Sequence, residues 1–322
     1  MSGEGAAPVR IVALSGGIGG AKLALGLDRV LPAGSLAVLC NTGDDFEHLG
    51  LHISPDIDTV MYTLAGIANP EAGWGRAGET WNFMAALEAL GGETWFRLGD
   101  ADLALHVERT RRLGEGEGLS AITADVARRL GVRSLIMPMS DQPVRTMVET
   151  NEGVLPFQRY FVERRCAPEV TGFAFDGAGE ASPPRGLTES LAGDSLEAIV
   201  ICPSNPFISI DPILAVPGMR ESLGAARAPV VAVSPIIAGQ AVKGPTAKMM
   251  AELGLPTTSA AVAAHYRGLL DGFVLDQVDA DQADALDLPC LVTQTLMTTE
   301  GDKRRLAVEV LDFSRSLVAA GR

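Results

Sequence analysis

The chain of 322 residues is acidic, since 26 Lys and Arg against 40 Asp and Glu give a formal net charge of −14. This charge argues against nucleic acid or an anionic membrane surface as the main partner, because both would be repelled at long range. The hydrophobic fraction of 47% excludes a disordered chain, and the length suits one large domain or one with a smaller domain attached.

Short apolar runs alternate along the chain with segments of helical periodicity. Several runs are apolar throughout, as parallel strands covered on both faces should be. The predicted strands are 10–14, 35–41, 134–138, 157–162, 198–202, 229–233, 272–275 and 307–310. The predicted helices are 21–30, 80–90, 102–113, 120–130, 211–225, 246–253, 259–270 and 303–319. Pro217 is expected to break or bend the chain near the fifth helix.

This alternation predicts an α/β fold with a doubly wound, mostly parallel sheet. Residues 148–187 differ from the rest, because they are β-rich and end in a stretch that contains Gly and Pro. We therefore expect a nucleotide-binding core of residues 10–147 and 188–320, with residues 148–187 as a small inserted subdomain.

A glycine-rich turn joins the first predicted strand to the first helix. Gly16, Gly17, Gly19 and Gly20 leave backbone N–H groups open, and the helix that follows directs the positive end of its dipole at the turn. The pattern predicts a phosphate cradle, with a tight turn that binds nothing as the alternative. It lacks the GxGxxG order and the GK[ST] ending of a Walker loop, which disfavours a nicotinamide dehydrogenase or a P-loop NTPase.

Four aspartates follow the second predicted strand. Asp44 and Asp45 come directly at its end, where open α/β sheets bind ligands, and Asp56 and Asp58 follow in a loop. No Lys or Arg occurs between residues 30 and 75, so converging carboxylates would repel one another unless a cation lay between them. Oxygen ligands beside phosphates suit Mg²⁺. A solvated loop and a helix cap are the alternatives.

Later segments add polar and aromatic candidates. Arg97 precedes a Gly-Asp turn, where its guanidinium fork suits a phosphate or a planar ring. Trp74 and Trp81 have the shape to stack on a ring system, but core packing is the expectation for each. The four histidines show no metal-ligand spacing.

Two polar turns follow successive later strands. Ser204 and Asn205 precede a proline, and Ser234, Lys243 and Gly244 follow the next strand. Two such turns at neighbouring strand ends favour a nucleotide pocket, with ordinary Pro/Gly turns as the alternative.

The cysteines and the absence of targeting signals bear on compartment. Cys40, Cys166, Cys202 and Cys290 are far apart and show no CxxC pair. No apolar run approaches the roughly 18–20 residues of a membrane span, and the first ten residues lack the apolar core of a signal peptide. A reduced cytoplasm is therefore expected.

Seven segments, taken in order, closely resemble the CofD family, the 2-phospho-L-lactate transferases of coenzyme F420 biosynthesis. They are LSGGIGGAKLALGL, NTGDDFEHLGLHISPDIDTVMYTLAGI, WGRAGETW, RLGDADLALHVERT, MPMSDQPV, CPSNPFISI and VSPIIAGQAVKGP. The resemblance implies a Rossmann-like core with a smaller domain, a homodimer and Mg²⁺ as cofactor. It also implies transfer of a phospho-acyl unit from a guanosine diphosphate conjugate to the terminal ribityl hydroxyl of the deazaflavin Fo, with release of GMP.

Individual residues carry this resemblance. By position, Asp58 and Arg97 match deazaflavin-binding residues of the family. Asp45 and Asp58 are expected to hold the metal and to act in catalysis, and Asp58 or Asp44 to accept the hydroxyl proton. The expected substrate-binding residues are Asp58, Arg97, Gly16, Gly17, Gly19, Gly20, Lys22, Ser204, Asn205, Ser234, Lys243 and Gly244.

Three questions stay open from the sequence. The acyl donor is a phospholactate, phosphoenolpyruvate or phosphoglycerate conjugate, which differ by a few atoms. Which of Asp44, Asp45, Asp56 and Asp58 bind the metal is not decided. The alternative function is a regulatory protein of the related fold that binds a nucleotide sugar and transfers nothing.

Overall fold

A computed structural model describes residues 8–319. The strands are β1 (Ile11–Ser15), β2 (Leu36–Cys40), β3 (Phe46–His48), β4 (Leu51–Ile53), β5 (Leu135–Pro138), β6 (Arg145–Thr150), β7 (Gly153–Pro156), β8 (Val170–Asp176), β9 (Ala198–Ile201), β10 (Val230–Val233), β11 (Ile236–Ile237), β12 (Gln240–Ala241), β13 (Gly272–Asp276) and β14 (Cys290–Thr293). The helices are α1 (Gly17–Val30), α2 (Pro55–Ala65), α3 (Asn82–Ala89), α4 (Asp100–Gly114), α5 (Leu119–Arg129), α6 (Leu187–Ala192), α7 (Asp211–Leu214), α8 (Met219–Ala225), α9 (Thr246–Glu252), α10 (Ser259–His265) and α11 (Glu300–Ala319).

The main sheet has seven strands in the order β14-β13-β10-β9-β1-β2-β5, and every neighbouring pair is parallel. The chain builds outward from β1 through β2 to β5, and then outward on the other side from β9 to β14. The direction of winding therefore reverses between β1 and β9, where sheets of this kind open a crevice at their carboxyl ends. The predicted α/β, doubly wound architecture is confirmed.

Two apolar layers cover the sheet, as the period of two along a strand requires. Val12 and Leu14 of β1 face one layer, which also contains α7 to α10 and part of a small antiparallel sheet. Ile11 and Ala13 face the other layer, which contains α1, α2, α5 and α11. All four residues are completely buried, so the continuous apolar run of β1 follows from burial on both faces.

Two predicted strands are wrong, because helical spacing of apolar residues outweighs β propensity in both. Residues 307–310 lie inside α11, whose buried residues Leu306, Val310 and Ser314 follow the helical period. Residues 157–162 begin a helical turn instead, in which Phe157 and Phe161, four positions apart, stack at 5.3 Å.

The elements that were not predicted include helix α2 and strand β14. The segment 55–58 was expected to be a loop, but Pro55 occupies the first turn of α2, where its missing N–H costs no hydrogen bond. Asp56 and Asp58 both lie in this first turn and are about 200° apart around the helix axis. They therefore face opposite sides. The expected break near Pro217 is confirmed, since α7 and α8 flank it.

The antiparallel sheet β7-β6-β8 lies in the region expected to be β-rich. The proposed boundaries of the inserted subdomain stay a prediction, and residue 320, the predicted end of the core, lies outside the described residues. Within residues 8–319, no helix combines the length and the apolar composition that a membrane crossing would require.

Candidate functional site

A cavity of about 550 Å³ opens at the carboxyl ends of the central strands, beside the point where the winding reverses. Predicted site residues that line it are Gly16, Gly17, Gly19, Lys22, Arg97, Ser204, Asn205, Ser234, Lys243 and Gly244. The aspartates that line it are Asp44 and Asp56. Gly20, Asp45 and Asp58, which were also predicted, do not line this cavity.

The glycine turn begins helix α1 at the cavity floor. The helix starts at Gly17, earlier than predicted, and Gly17 has a φ of +66° that disfavours any side chain. A Cβ at Gly19 would lie 2.3 Å from the carbonyl oxygen of Pro203, so only glycine allows this loop to approach. The Ser204 hydroxyl fixes the turn, because it donates to the Gly16 carbonyl at 2.9 Å and accepts from the Gly16 N–H at 3.2 Å.

Asp56 and Asp44 form an anionic wall beside this turn. Asp56 accepts a hydrogen bond from the Gly17 N–H at 2.6 Å and another from the Asn41 side-chain amide at 2.9 Å. The Asn41 amide also lies 3.5 Å from an Asp44 oxygen, so it bridges the two carboxylates. Both aspartates are buried, at 7% and 5% exposure. Neither carboxylate forms an ion pair with a lysine or arginine in the described part of the chain.

The electrostatics of this wall are unfavourable in the absence of a cation. Burial raises the pKa of Asp44 well above its usual range, the charges of Asp56 and Asp45 raise it further, and Arg145 offsets only part of this. Burial raises the pKa of Asp56 to about 6, against the lowering effect of its bonds to Asn41 and Gly17. Two buried carboxylates at a phosphate cradle are oxygen ligands of the kind that Mg²⁺ takes.

Asp45 faces the opposite way from Asp44. It lines a smaller cavity of about 190 Å³ together with Thr42, His52 and Arg145. One of its oxygens accepts from the Ser54 hydroxyl at 2.8 Å and lies 3.1 Å from His52 Nε2, and the other has no protein partner. The chain turns at residues 43–44, where the Asp45 N–H donates to the Thr42 carbonyl at 3.2 Å, and the two neighbouring carboxylates line different cavities.

Asp58 lies on the far face of α2, in a buried network with α4. Both of its oxygens accept from the Arg109 guanidinium, and His106 Nδ1 is 3.8 Å away. The other ring nitrogen of His106 lies 3.4 Å from Asp102, which accepts a hydrogen bond from the Tyr62 hydroxyl at 2.5 Å. Burial raises the pKa of Asp58, and Arg109 and His106 oppose this effect.

This network is the one place in residues 8–319 where at least three potential metal ligands converge. One ligand atom each from Asp58, Asp102 and His106 lies within 4.8 Å of the others, and Asp45 is not a member. However, Arg109 already supplies a cation there, and its side chain is 1% exposed. The group could hold a metal ion, but its charge is already compensated in part, in contrast to the wall of Asp44 and Asp56.

Aromatic rings and an arginine form one end of the cavity. Arg97 lines it, and its guanidinium lies 4.1 Å from the centre of the Trp81 ring. Trp95, Phe96 and Phe161 also line this cavity. The arrangement suits a planar, partly polar ring, because apolar ring edges and a guanidinium group line the same end of the cavity.

Lysines line another part of the wall. Lys22 donates to the Met297 carbonyl at 2.9 Å, and burial together with nearby Lys303 and Lys243 lowers its pKa. Lys243 donates to the Ala72 carbonyl at 3.1 Å. These ammonium groups and the α1 N-terminus offer an anion several donors.

Two of the predicted polar residues turn inward as well as facing the cavity. Ser234 bonds with the Ser259 hydroxyl at 2.8 Å, and Asn205 accepts from the Phe207 N–H at 3.0 Å. Each therefore also holds the shape of its own turn.

The sequence left Asp56 as one of four undecided metal candidates and gave no indication of Gln158 and Trp95 as site residues. A proline followed by an amphipathic run was the available signal for α2, and thus for the direction of Asp56. Gln158, whose amide donates to the Asp44 carbonyl at 3.2 Å, comes from the segment wrongly predicted as a strand. No local signal places Trp95 at the cavity.

Similarity to known proteins extends over almost the whole chain. A family model described as 2-phospho-L-lactate transferase CofD matches residues 11–310. A phosphoenolpyruvate transferase of Streptomyces griseus is 42% identical over 320 residues, which cover 97% of this chain and 100% of that protein. A 2-phospho-L-lactate transferase of Methanopyrus kandleri is 41% identical over 315 residues, which cover 96% of this chain and 99% of that protein.

A solved structure shares the fold. A member of the UPF0052 family from Bacillus halodurans superposes with a TM-score of 0.64 at 16% identity, covering 95% of this chain and 100% of that one. At this identity the likeness concerns the fold alone.

Proposed function

The chain belongs to the CofD family of transferases, as its motifs predicted, and from this premise we propose that it transfers a phospho-acyl group from a guanosine diphosphate conjugate to Fo. The acceptor is the terminal ribityl hydroxyl of this deazaflavin, GMP is released, and the product is an intermediate of coenzyme F420. One observation carries the proposal: a single cavity holds a glycine turn, two carboxylates without a cationic partner and an aromatic wall with an arginine.

The identity of the acyl group on the donor is a separate part of this proposal. Relatives named phosphoenolpyruvate transferase and 2-phospho-L-lactate transferase are 42% and 41% identical to this chain, so overall similarity does not separate the two donors. We propose a three-carbon phospho-acid conjugate as the class, with phosphoglycerate as its third member. Pocket shape around the acid decides among these, because they differ by a few atoms.

Asp44 and Asp56 are the residues that fit a divalent cation. They are buried, they repel each other, and they lie beside the N-terminus of α1, where phosphates bind. Mg²⁺ bound there would neutralise negative charge on the diphosphate. The predicted pair Asp45 and Asp58 is less suited, since neither residue lines the cavity and Asp58 is already held by Arg109.

The chain's own groups have separate duties in the transfer. The backbone amide at Gly19 and the ammonium of Lys22 orient the diphosphate, so that the phosphorus next to the acyl unit faces the acceptor. Arg97 and its aromatic neighbours hold the deazaflavin ring. Asp44 is the proton acceptor that lines the cavity, whereas Asp58, the other candidate, does not.

The assembly and compartment are untested parts of the proposal. The resemblance implies a homodimer, the cysteines and the apolar pattern favour the cytoplasm, and both stay predictions.

Mass spectrometry of the reaction products tests this function. The purified protein is incubated with Fo, Mg²⁺ and each guanosine diphosphate conjugate in turn, and both products are quantified. We expect one conjugate to give acylphospho-Fo and GMP in equal amounts. Tight binding of a conjugate with no product would instead support the alternative, a regulatory nucleotide-sugar-binding protein.

A further inference from the structure

Residues 67–77 form a strap directly after α2, and its residue Trp74 lines the cavity. Its two ends pair, because the Ala77 N–H donates to the Ile67 carbonyl at 2.8 Å and the Asn69 N–H donates to the Gly75 carbonyl at 3.0 Å. Trp74 lies near the tip between Gly73 and Gly75, which have φ values of +77° and +67°. Side chains rarely adopt this conformation, so the two glycines set the direction of the indole.

Trp74 differs from the other two tryptophans of the chain. The guanidinium of Arg97 covers Trp81 at 4.1 Å, and that of Arg159 covers Trp95 at 4.3 Å. Trp74 has no ring or cation contact with any residue in 8–319. It lines the cavity, yet 50% of it is exposed, so the expectation of core packing is wrong for this residue. A large aromatic face is thus open toward the substrates.

The strap contacts the side of the cavity that Lys22 and Lys243 line. The Ala72 carbonyl accepts from Lys243 at 3.1 Å, and a Cβ at Gly73 would lie 3.2 Å from the Ile18 side chain. Ile18 is in the first turn of α1, one turn before Lys22, where the phosphates of the donor are expected. The other end of the cavity already has its own aromatic wall beside Arg97.

We propose that Trp74 is the residue that stacks on the purine ring of the donor conjugate. This inference rests on the proposed function, because it takes the donor to be a guanosine diphosphate conjugate. Stacking between a base and an aromatic side chain contributes enough affinity to alter binding about 5- to 150-fold. Loss of the Trp74 ring should weaken binding of the donor only, because the acceptor ring is expected to bind at the aromatic wall beside Arg97.

Tryptophan emission during a GMP titration, without acceptor, tests the contact directly. We expect GMP to quench the emission of the wild type and of the W81F/W95F variant, in which Trp74 is the remaining tryptophan. The W74F variant should show no saturable quenching. Quenching that persists in W74F and is absent in W81F/W95F would overturn the proposal.

Steady-state kinetics supply the second readout. For W74L we expect the KM for the donor conjugate to rise at least fivefold, while kcat and the KM for Fo stay within about twofold. W81F is the matched control, and its effect should fall on the KM for Fo because Trp81 supports Arg97. A rise in the KM for Fo rather than for the donor in W74L would show that Trp74 contacts the acceptor, and the proposal would be wrong. If the wild type forms no product, the GMP titration still decides the contact independently of the transferase assignment.

Discussion

Helix α2 separates two groups of buried carboxylates that differ in one respect. Asp56, with Asp44, faces the cavity and has no lysine or arginine paired with it among residues 8–319. Asp58 faces the other way, and the guanidinium of Arg109 holds both of its oxygens. The two aspartates of α2 are two residues apart in sequence and similarly buried, so the face of the helix on which each lies decides which groups surround it.

This contrast indicates which carboxylates are available to a ligand. Burying a charge is costly unless it is paired, and Arg109 supplies the partner for Asp58 from within the fold. The carboxylates of Asp44 and Asp56 lack such a partner and lie at the expected phosphate site, so their repulsion is relieved when a cation binds. We therefore assign Asp58 a positioning role: it fixes α4, which begins three residues after Arg97, against α2.

The largest expected effect is on stability, from the Arg109→Met substitution. Removing the guanidinium leaves Asp58 buried and uncompensated, so we expect the free energy of unfolding in urea to fall by about 3–5 kcal/mol. The double variant R109M/D58N is the control and should recover most of this loss, because both charges are then absent. If the free energy of unfolding of R109M fell by less than about 1 kcal/mol, Arg109 would not be the partner that compensates Asp58, and the two carboxylate groups would not differ in this respect.

The second effect is on turnover, from the Asp56→Asn substitution. We expect the rate of GMP release at saturating Mg²⁺ to fall about 100-fold, since an anionic ligand beside the phosphates is lost. The melting temperature of metal-free protein should stay unchanged or rise, because one of two repelling carboxylates is gone. Asp44→Asn should behave in the same way. Near wild-type turnover in both variants would contradict the assignment.

The third effect is the pH dependence of stability without metal. The pKa of Asp56 is about 6 in the folded state and about 3.9 in an unfolded chain, so the folded state binds the extra proton between these values. Stability is therefore lost as pH rises through about 6, by on the order of 1–3 kcal/mol for this group. Chemical unfolding of wild type and D56N at pH 4 to 8 isolates this slope. An identical pH profile in the two proteins would show that Asp56 is not strained in the metal-free state.

The smallest effect is expected for the Ser204→Ala substitution. Its hydroxyl makes two hydrogen bonds to Gly16, so its loss should cost about 1 kcal/mol of stability and raise the KM of the donor a few-fold. Urea unfolding measures the loss of stability, and steady-state kinetics at a saturating concentration of Fo measure the KM of the donor. If S204A changed only the KM for Fo, the glycine turn would not be part of the donor site.

Periodicity and glycine spacing were enough to predict the parallel sheet, the glycine turn and most helices. The continuous burial of β1 on both faces is a local property that its composition already shows. The direction in which a carboxylate points depends on more than its neighbours in sequence. Asp56 and Asp58 were read as one loop, and their opposite roles depend on a helix start at Pro55 and on Arg109, which is 51 residues from Asp58.

The aromatic end of the cavity could not be predicted from the sequence for a similar reason. Trp95 and Phe161 come from distant segments, and only the folded chain brings them to one cavity. Trp74 was expected in the core because most tryptophans are buried, and two left-handed glycines place it at the surface instead.

Binding of Mn²⁺, followed by electron paramagnetic resonance as a substitute for Mg²⁺, tests the central comparison most directly. Metal-free wild type, the D44N/D56N variant and the R109M/D58N variant are titrated in the presence of GDP. We expect R109M/D58N to retain the wild-type affinity for Mn²⁺ and D44N/D56N to lose at least a factor of ten. Loss of binding in R109M/D58N together with unchanged binding in D44N/D56N would instead place the metal with Asp58.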